Sequence, residues 1–123
     1  MLSKIQSFYQ KYIQANSFLF YSILIVVIGF FTYFYNYQNP PAPFWDENYH
    51  ISSGQKYIDG TFFLELHPPL GKLLIGLGEF LLNPNSSVDT NSFNSVEYIQ
   101  NFPEGLSYLG YRFFPALFGF LSC

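Results

Sequence analysis

The chain has 123 residues, half of them hydrophobic and only 11% charged, with a net charge of -3. That is about half the charge of an ordinary soluble domain and points to a membrane protein. No basic cluster could track a phosphate backbone, which argues against nucleic acid as a partner, and the single cysteine, Cys123, rules out an intrachain disulfide.

Residues 1–17 carry Lys4 and Lys11 and no acid, and the uncharged stretch that follows runs from Tyr12 to Trp45. Its centre, Phe18 to Tyr35, holds twelve Leu, Ile, Val or Phe among eighteen residues. At roughly -0.3 to -0.6 kcal/mol each, these favour insertion by about 5 kcal/mol at best. The sequence therefore predicts a transmembrane helix over 18–37. A cleaved signal peptide would end on small residues, whereas Tyr33, Phe34, Tyr35 and Tyr37 follow here. Lysines before the span and Asp46-Glu47 after it keep the amino terminus cytoplasmic and place 38–105 outside the cytoplasm.

That first extracytoplasmic loop is expected to hold two short juxtamembrane helices. One lies near 46–58, with Asp46 as the N-cap acceptor and Asp59-Gly60 as its end. The other lies near 68–82, where Pro68 and Pro69 suit a first turn and Asn83-Pro84 a stop. Leu70, Leu73, Leu74, Leu77, Phe80 and Leu81 recur at helical spacing, leaving Lys72, Gly76 and Glu79 on the other side. Lys72 and Glu79 make its apolar stretch, Leu70 to Leu82, too polar, and thirteen residues make it too short, to span a bilayer. An interfacial helix is the better reading, with Gly71, Gly76 and Gly78 allowing a neighbour close.

From Asn83 to Asn101 the chain is rich in Asn and Ser and reads as a solvated loop, with a glycosylation sequon at Asn85-Ser86-Ser87. A new apolar run occupies 106–123, with Arg112 near its outer end. Its eleven residues from Phe113 cover about half a bilayer, which predicts the start of a second, truncated transmembrane helix and hence a fragment.

The ionisable residues concentrate between these apolar segments, where charge near hydrocarbon costs free energy. Asp46 and Glu47 are adjacent, so on a helix their side chains diverge by about 100 degrees and cannot face one substrate atom as an acid-base pair. Both also suit an ordinary helix start. Glu47 and His50 have the Glu-x-x-His spacing of a helical metal ligand pair, but one copy is too little to assign a metal. Two prolines fix the backbone behind His67, which otherwise caps the following helix. Lys72 and Arg112 are cations suited to a lipid phosphate or to snorkelling beside headgroups.

Three blocks carry a family resemblance. They are Phe44-Trp45-Asp46-Glu47, Phe62-Phe63-Leu64-Glu65-Leu66-His67-Pro68-Pro69-Leu70-Gly71-Lys72-Leu73-Leu74-Ile75, and Gly110-Tyr111-Arg112-Phe113-Phe114-Pro115-Ala116-Leu117. In this order they resemble the amino-terminal region of protein O-mannosyltransferases, multi-span glycosyltransferases of the GT-C fold that use polyprenyl-phosphate-mannose. The His-Pro-Pro-Leu-Gly-Lys block is the most specific.

The resemblance implies an all-α integral membrane protein whose loop carboxylates serve catalysis. Asp46 would be the general base toward an acceptor Ser or Thr hydroxyl, and Glu47 would orient it or bind acceptor. Glu65, His67, Lys72 and Arg112 would bind substrate. The lipid-linked sugar is a substrate rather than a cofactor, and no cofactor or metal is assigned. The expected partners are the bilayer, the polyprenyl-phosphate sugar and acceptor proteins, with a dimer allowed. Glu65, where eukaryotic members usually carry Asp, favours a bacterial inner membrane over the endoplasmic reticulum. The alternatives are a related GT-C enzyme moving another sugar to a lipid, and a non-catalytic single-pass interaction module.

Overall fold

Every regular element is a helix among the residues described by the computed structural model, which are 2–14, 16–65 and 67–123. Met1, Ala15 and Leu66, which belong to the expected cytoplasmic segment and the His-Pro-Pro block, lie outside them. Helix α1 (Leu2–Phe8) runs into a π-helical stretch, Tyr9–Gln14, ahead of the long helix α2 (Ser17–Phe34). Among the described residues α2 is the one helix long and apolar enough to cross a bilayer, and almost all of its surface is uncovered by protein. Apolar side chains left bare in this way suit lipid or the apolar faces of further membrane helices.

Helix α2 ends three residues earlier than the hydropathy pattern suggests, at Phe34, and Asn36 turns the chain at φ 60°. The Tyr37 hydroxyl then donates to the Leu109 carbonyl at 3.1 Å, tying this corner to the far end of the loop. The returning helix α6 (Phe113–Leu121) packs on α2 through aromatic rings, with Phe120 edge-on to both Phe30 and Phe34. Such edge-to-face contacts are worth about 0.5–1.5 kcal/mol each beyond their area.

Between these two apolar helices lie α3 (Glu47–Asp59), α4 (Leu70–Leu82) and the single turn α5 (Ser92–Ser95). Gly60 closes α3 at φ 66°, the left-handed conformation that favours glycine, and its N–H reaches the Lys56 carbonyl. Helices α3 and α4 cross where Gly54 meets Gly76. A Cβ on Gly76 would lie 2.6 Å from the Gly54 carbonyl oxygen, so glycine is what lets the backbones approach this closely. Gly78 meets Gly110 in the same manner.

The buried side of α4 is its polar side. Lys72, Gly76, Gly78 and Glu79 face the protein, while Leu70, Leu73, Leu77, Phe80 and Leu81 stay exposed. An apolar stripe turned outward on a helix that follows a membrane-length segment is what an interfacial helix requires. Helix α3 does the same with small and polar residues, burying Ser52, Ser53, Gln55 and Lys56.

The reading of 83–101 as a solvated loop needs correction. Phe93 and Ile99 from this stretch are fully or nearly buried and form the core together with Ile51, Tyr108 and Tyr111. Polar atoms hold the loop down: Asn48 Nδ2 donates to the Ile99 carbonyl at 2.6 Å, and Ser52 Oγ donates to the Val96 carbonyl at 3.1 Å. Asn85 of the sequon is likewise buried. Its amide nitrogen donates to Glu79 Oε1 and to the Ser107 carbonyl, and its oxygen accepts the Ser107 N–H. The periodicity is missing because Phe93 sits on a single helical turn and Asn85 and Ile99 on irregular backbone, too little regular structure for any spacing to repeat.

Candidate active site

The acidic doublet begins α3, and its two carboxylates diverge. Asp46 occupies the N-cap position but makes no capping bond. Capping needs an extended backbone to bring the side chain back over the first turn, whereas Asp46 is already near-helical at φ -78° and ψ 0°. Its carboxylate is exposed and has no hydrogen-bond partner among the described residues. The expectation of a side-chain cap is therefore corrected by local geometry.

Glu47 is held on both oxygens. Arg112 donates from Nε to Oε1 at 2.8 Å and from Nη2 to Oε2 at 2.7 Å, and the Phe44 N–H adds a third bond at 2.7 Å. The guanidinium's three remaining N–H groups meet the carbonyls of Gln38, Pro40 and Ala42, each at 2.8 Å. All five of its donors are thereby committed, and the group stacks 4.3 Å above the Tyr108 ring. Arg112 thus clamps the Pro-rich corner to the start of α3, and no donor is left pointing outward. Because Glu47 turns toward Arg112, it does not converge with His50, and the Glu-x-x-His spacing brings no ligand pair together.

Positions 46, 49 and 50 share one face of α3, by helical periodicity. Asp46, Tyr49 and His50 line an open cleft of about 480 Å³ together with His67, Glu97 and Tyr98. The Tyr49 ring stands edge-on to both His50 and His67, with centroids 6.0 Å apart in each case. Beneath it the Lys72 ammonium lies 3.9 Å from the ring centroid and 2.6 Å from Glu65 Oε1. Glu65 Oε1 also accepts the His67 N–H at 3.1 Å. Burial pushes the Glu65 carboxyl up. The hydrogen bonds from Lys72 and the His67 backbone, with the charges of both residues, outweigh that and hold it below its ordinary value.

The residues nominated from sequence fall into two groups. Asp46 and His67 open onto the cleft. Glu47, Glu65, Lys72 and Arg112 form two ion pairs behind it, with Lys72 only 2% exposed. The pairing of residues 47 and 112 across 65 positions has no local signature. Tyr49 could have been found from its i+3 relation to Asp46, whereas Glu97 and Tyr98 sit in a stretch without a motif. Among the described residues no group of three or more His, Cys, Asp and Glu side chains converges as a metal would need.

Comparison with known proteins matches residues 23–123 to the family described as "Dolichyl-phosphate-mannose-protein mannosyltransferase". Protein O-mannosyl-transferase 2 of Danio rerio is 44% identical over 63 residues, covering 51% of this chain and 8% of that protein. Dolichyl-phosphate-mannose--protein mannosyltransferase 3 of Saccharomyces cerevisiae is 35% identical over 99 residues, 80% of this chain and 12% of its own length. The Candida albicans protein of the same name numbered 6 is 31% identical over 99 residues, 80% and 11% respectively. The chain spans about a tenth of the length of these curated relatives. No solved structure matches it significantly. The chain belongs to the dolichyl-phosphate-mannose-protein mannosyltransferase family.

Proposed function

From that membership we propose that this chain contributes the acceptor-side base to an inverting transfer of mannose from a polyprenyl-phosphate carrier to Ser or Thr hydroxyls of proteins. The observation that supports it is the asymmetry of the doublet: Asp46 has a free carboxylate in the cleft, while Glu47 is fixed by Arg112. A base must reach a hydroxyl that comes and goes, so the unpartnered carboxylate suits the role and the clamped one does not. The Asp46 carboxylate takes the proton as the acceptor oxygen attacks the anomeric carbon. The bond from that carbon to the carrier phosphate breaks, and the phosphate leaves with the electron pair. Phosphate departs without a protonating acid, so one free carboxylate is enough, in contrast with the pair that a glycosidase uses.

Glu47 and Arg112 act as positioning residues. Their two hydrogen bonds fix the first turn of α3, and with it the point from which Asp46 projects. Lys72 and Glu65 hold Tyr49 and the His67 backbone on the other side of the same cleft. Span α2 sets this assembly at the non-cytoplasmic surface, within reach of a sugar whose carrier is dissolved in lipid.

The test is transfer of labelled mannose from polyprenyl-phosphate-mannose to a Ser/Thr peptide. Membranes from cells expressing the protein from its own gene are compared with the same membranes carrying Asp46→Asn. Turnover should fall by at least about a hundredfold, the usual scale for a positioned base. Unchanged turnover would remove Asp46 from the role.

A further inference from the structure

We infer that Glu97 and Tyr98 are acceptor-binding residues that favour substrates with a basic residue beside the target Ser or Thr. The inference rests on the assignment of Asp46 as base and adds the wall that the acceptor would meet. The two residues line the same cleft as Asp46, Tyr49 and His50. Both side chains are exposed, Tyr98 by 54%, although the backbone on either side of them is fastened to α3. The Val96 carbonyl accepts Ser52 Oγ at 3.1 Å, and the Ile99 carbonyl accepts Asn48 Nδ2 at 2.6 Å. The core residues Phe93 and Ile99 anchor the same stretch from below.

A two-residue step tied at both ends, with its side chains left in an open cleft, is organised for contact before any ligand arrives. Its surroundings decide which ligand. The segment 83–105 is rich in Asn and Ser, so its surface suits a partner that approaches from water. The acceptor polypeptide is the reactant that comes from that side, while the carrier-bound sugar enters the cleft from the membrane. Tyr98 offers a ring face to a peptide or sugar surface. Glu97 adds a second carboxylate to a cleft that already holds Asp46, and the buried Lys56 ammonium offsets part of its charge. Glu97 is the exposed partner of the two, so the cleft side favours a Lys or Arg in the bound segment and disfavours an acid.

The experiment measures binding and turnover with two fluorescent Ser/Thr peptides that differ only in Lys or Glu flanks, using the protein in lipid nanodiscs. Anisotropy should show the Lys-flanked peptide bound about three- to five-fold more tightly, the strength of one solvent-exposed ion pair, and 0.5 M salt should erase the difference. Glu97→Gln should abolish the preference in both binding and KM, and Glu97→Lys should reverse it. Tyr98→Ala should weaken both peptides equally. The inference is overturned if neither peptide binds, or if the preference survives Glu97→Lys. Loss of turnover in Asp46→Asn with no response to Glu97→Lys would leave the base assignment standing without it. A Glu97→Lys reversal with turnover intact in Asp46→Asn would do the opposite.

Discussion

Replacing Arg112 tests whether it is a clamp or a free ligand for phosphate. In the structure its five donors meet two oxygens of Glu47 and three carbonyls of the corner 38–42, and the residue is 9% exposed. Arg112→Met strands the Glu47 carboxylate, which is 25% exposed and so keeps part of its hydration. Breaking a buried pair from one side costs about 3–5 kcal/mol, and this exposure lowers the figure to about 2–4 kcal/mol. The three carbonyls lie on exposed residues and can turn to water, so they add little. Arg112→Lys keeps the charge but loses the planar fork and two donors, for an expected cost of about 1–2 kcal/mol. Arg112→Met combined with Glu47→Leu removes both charges and should cost less than the two single changes summed, by about 1.5 kcal/mol or more. The assay is thermal unfolding in nanodiscs for the parent and the four variants, Glu47→Leu alone included, with hydrogen exchange of the amides in 38–47 as the local readout. Strict additivity, together with unchanged exchange in Arg112→Met, would refute the clamp.

Other consequences follow from single contacts. Gly76→Ala pushes a methyl group into the Gly54 carbonyl and should lower stability by about 2–3 kcal/mol, whereas Gly71→Ala meets nothing and should be neutral or stabilising by up to about 1 kcal/mol in the same melt. Burial raises the Glu79 carboxyl above its ordinary value, against the opposing hydrogen bonds from Asn85. The folded state then holds that proton more tightly than the unfolded one. Glu79 therefore contributes stability that is complete below the ordinary carboxylate range and is lost as pH rises through the raised value. Melting temperature against pH should show this slope, and Glu79→Gln should flatten it. Asn85 is 5% exposed with its amide engaged, so the folded protein should carry no glycan there, and glycosidase treatment should leave its gel mobility unchanged.

The span, the two loop helices and the family blocks are legible in the sequence because each rests on local chemistry: uncharged length, helical spacing and a rigid His-Pro-Pro step. Which face of α4 is covered is also legible, once the polar residues Lys72 and Glu79 are understood to seek partners and the leucines to seek lipid. What could not be read is pairing at a distance. Nothing near Arg112 announces Glu47, and nothing in the Asn- and Ser-rich loop announces that Phe93 and Ile99 are core. Asn48, Ser52 and Gln55 look like ordinary surface residues of α3, yet they are the hooks that fasten that loop, at Ile99, Val96 and Thr90. The site follows the same division: Asp46 stands out by position, while Glu97 and Tyr98 become visible only when the loop folds back over α3.

Impermeant maleimide labelling of Trp45→Cys, with Cys123→Ser to remove the native thiol, asks the central question of which side of the membrane carries the acidic doublet. Trp45 is 90% exposed beside Asp46, so the introduced thiol is accessible wherever that face lies. Sealed vesicles with the cytoplasmic side outward should remain unlabelled until they are opened by detergent. Labelling of the intact vesicles would put Asp46 in the cytosol and contradict the account.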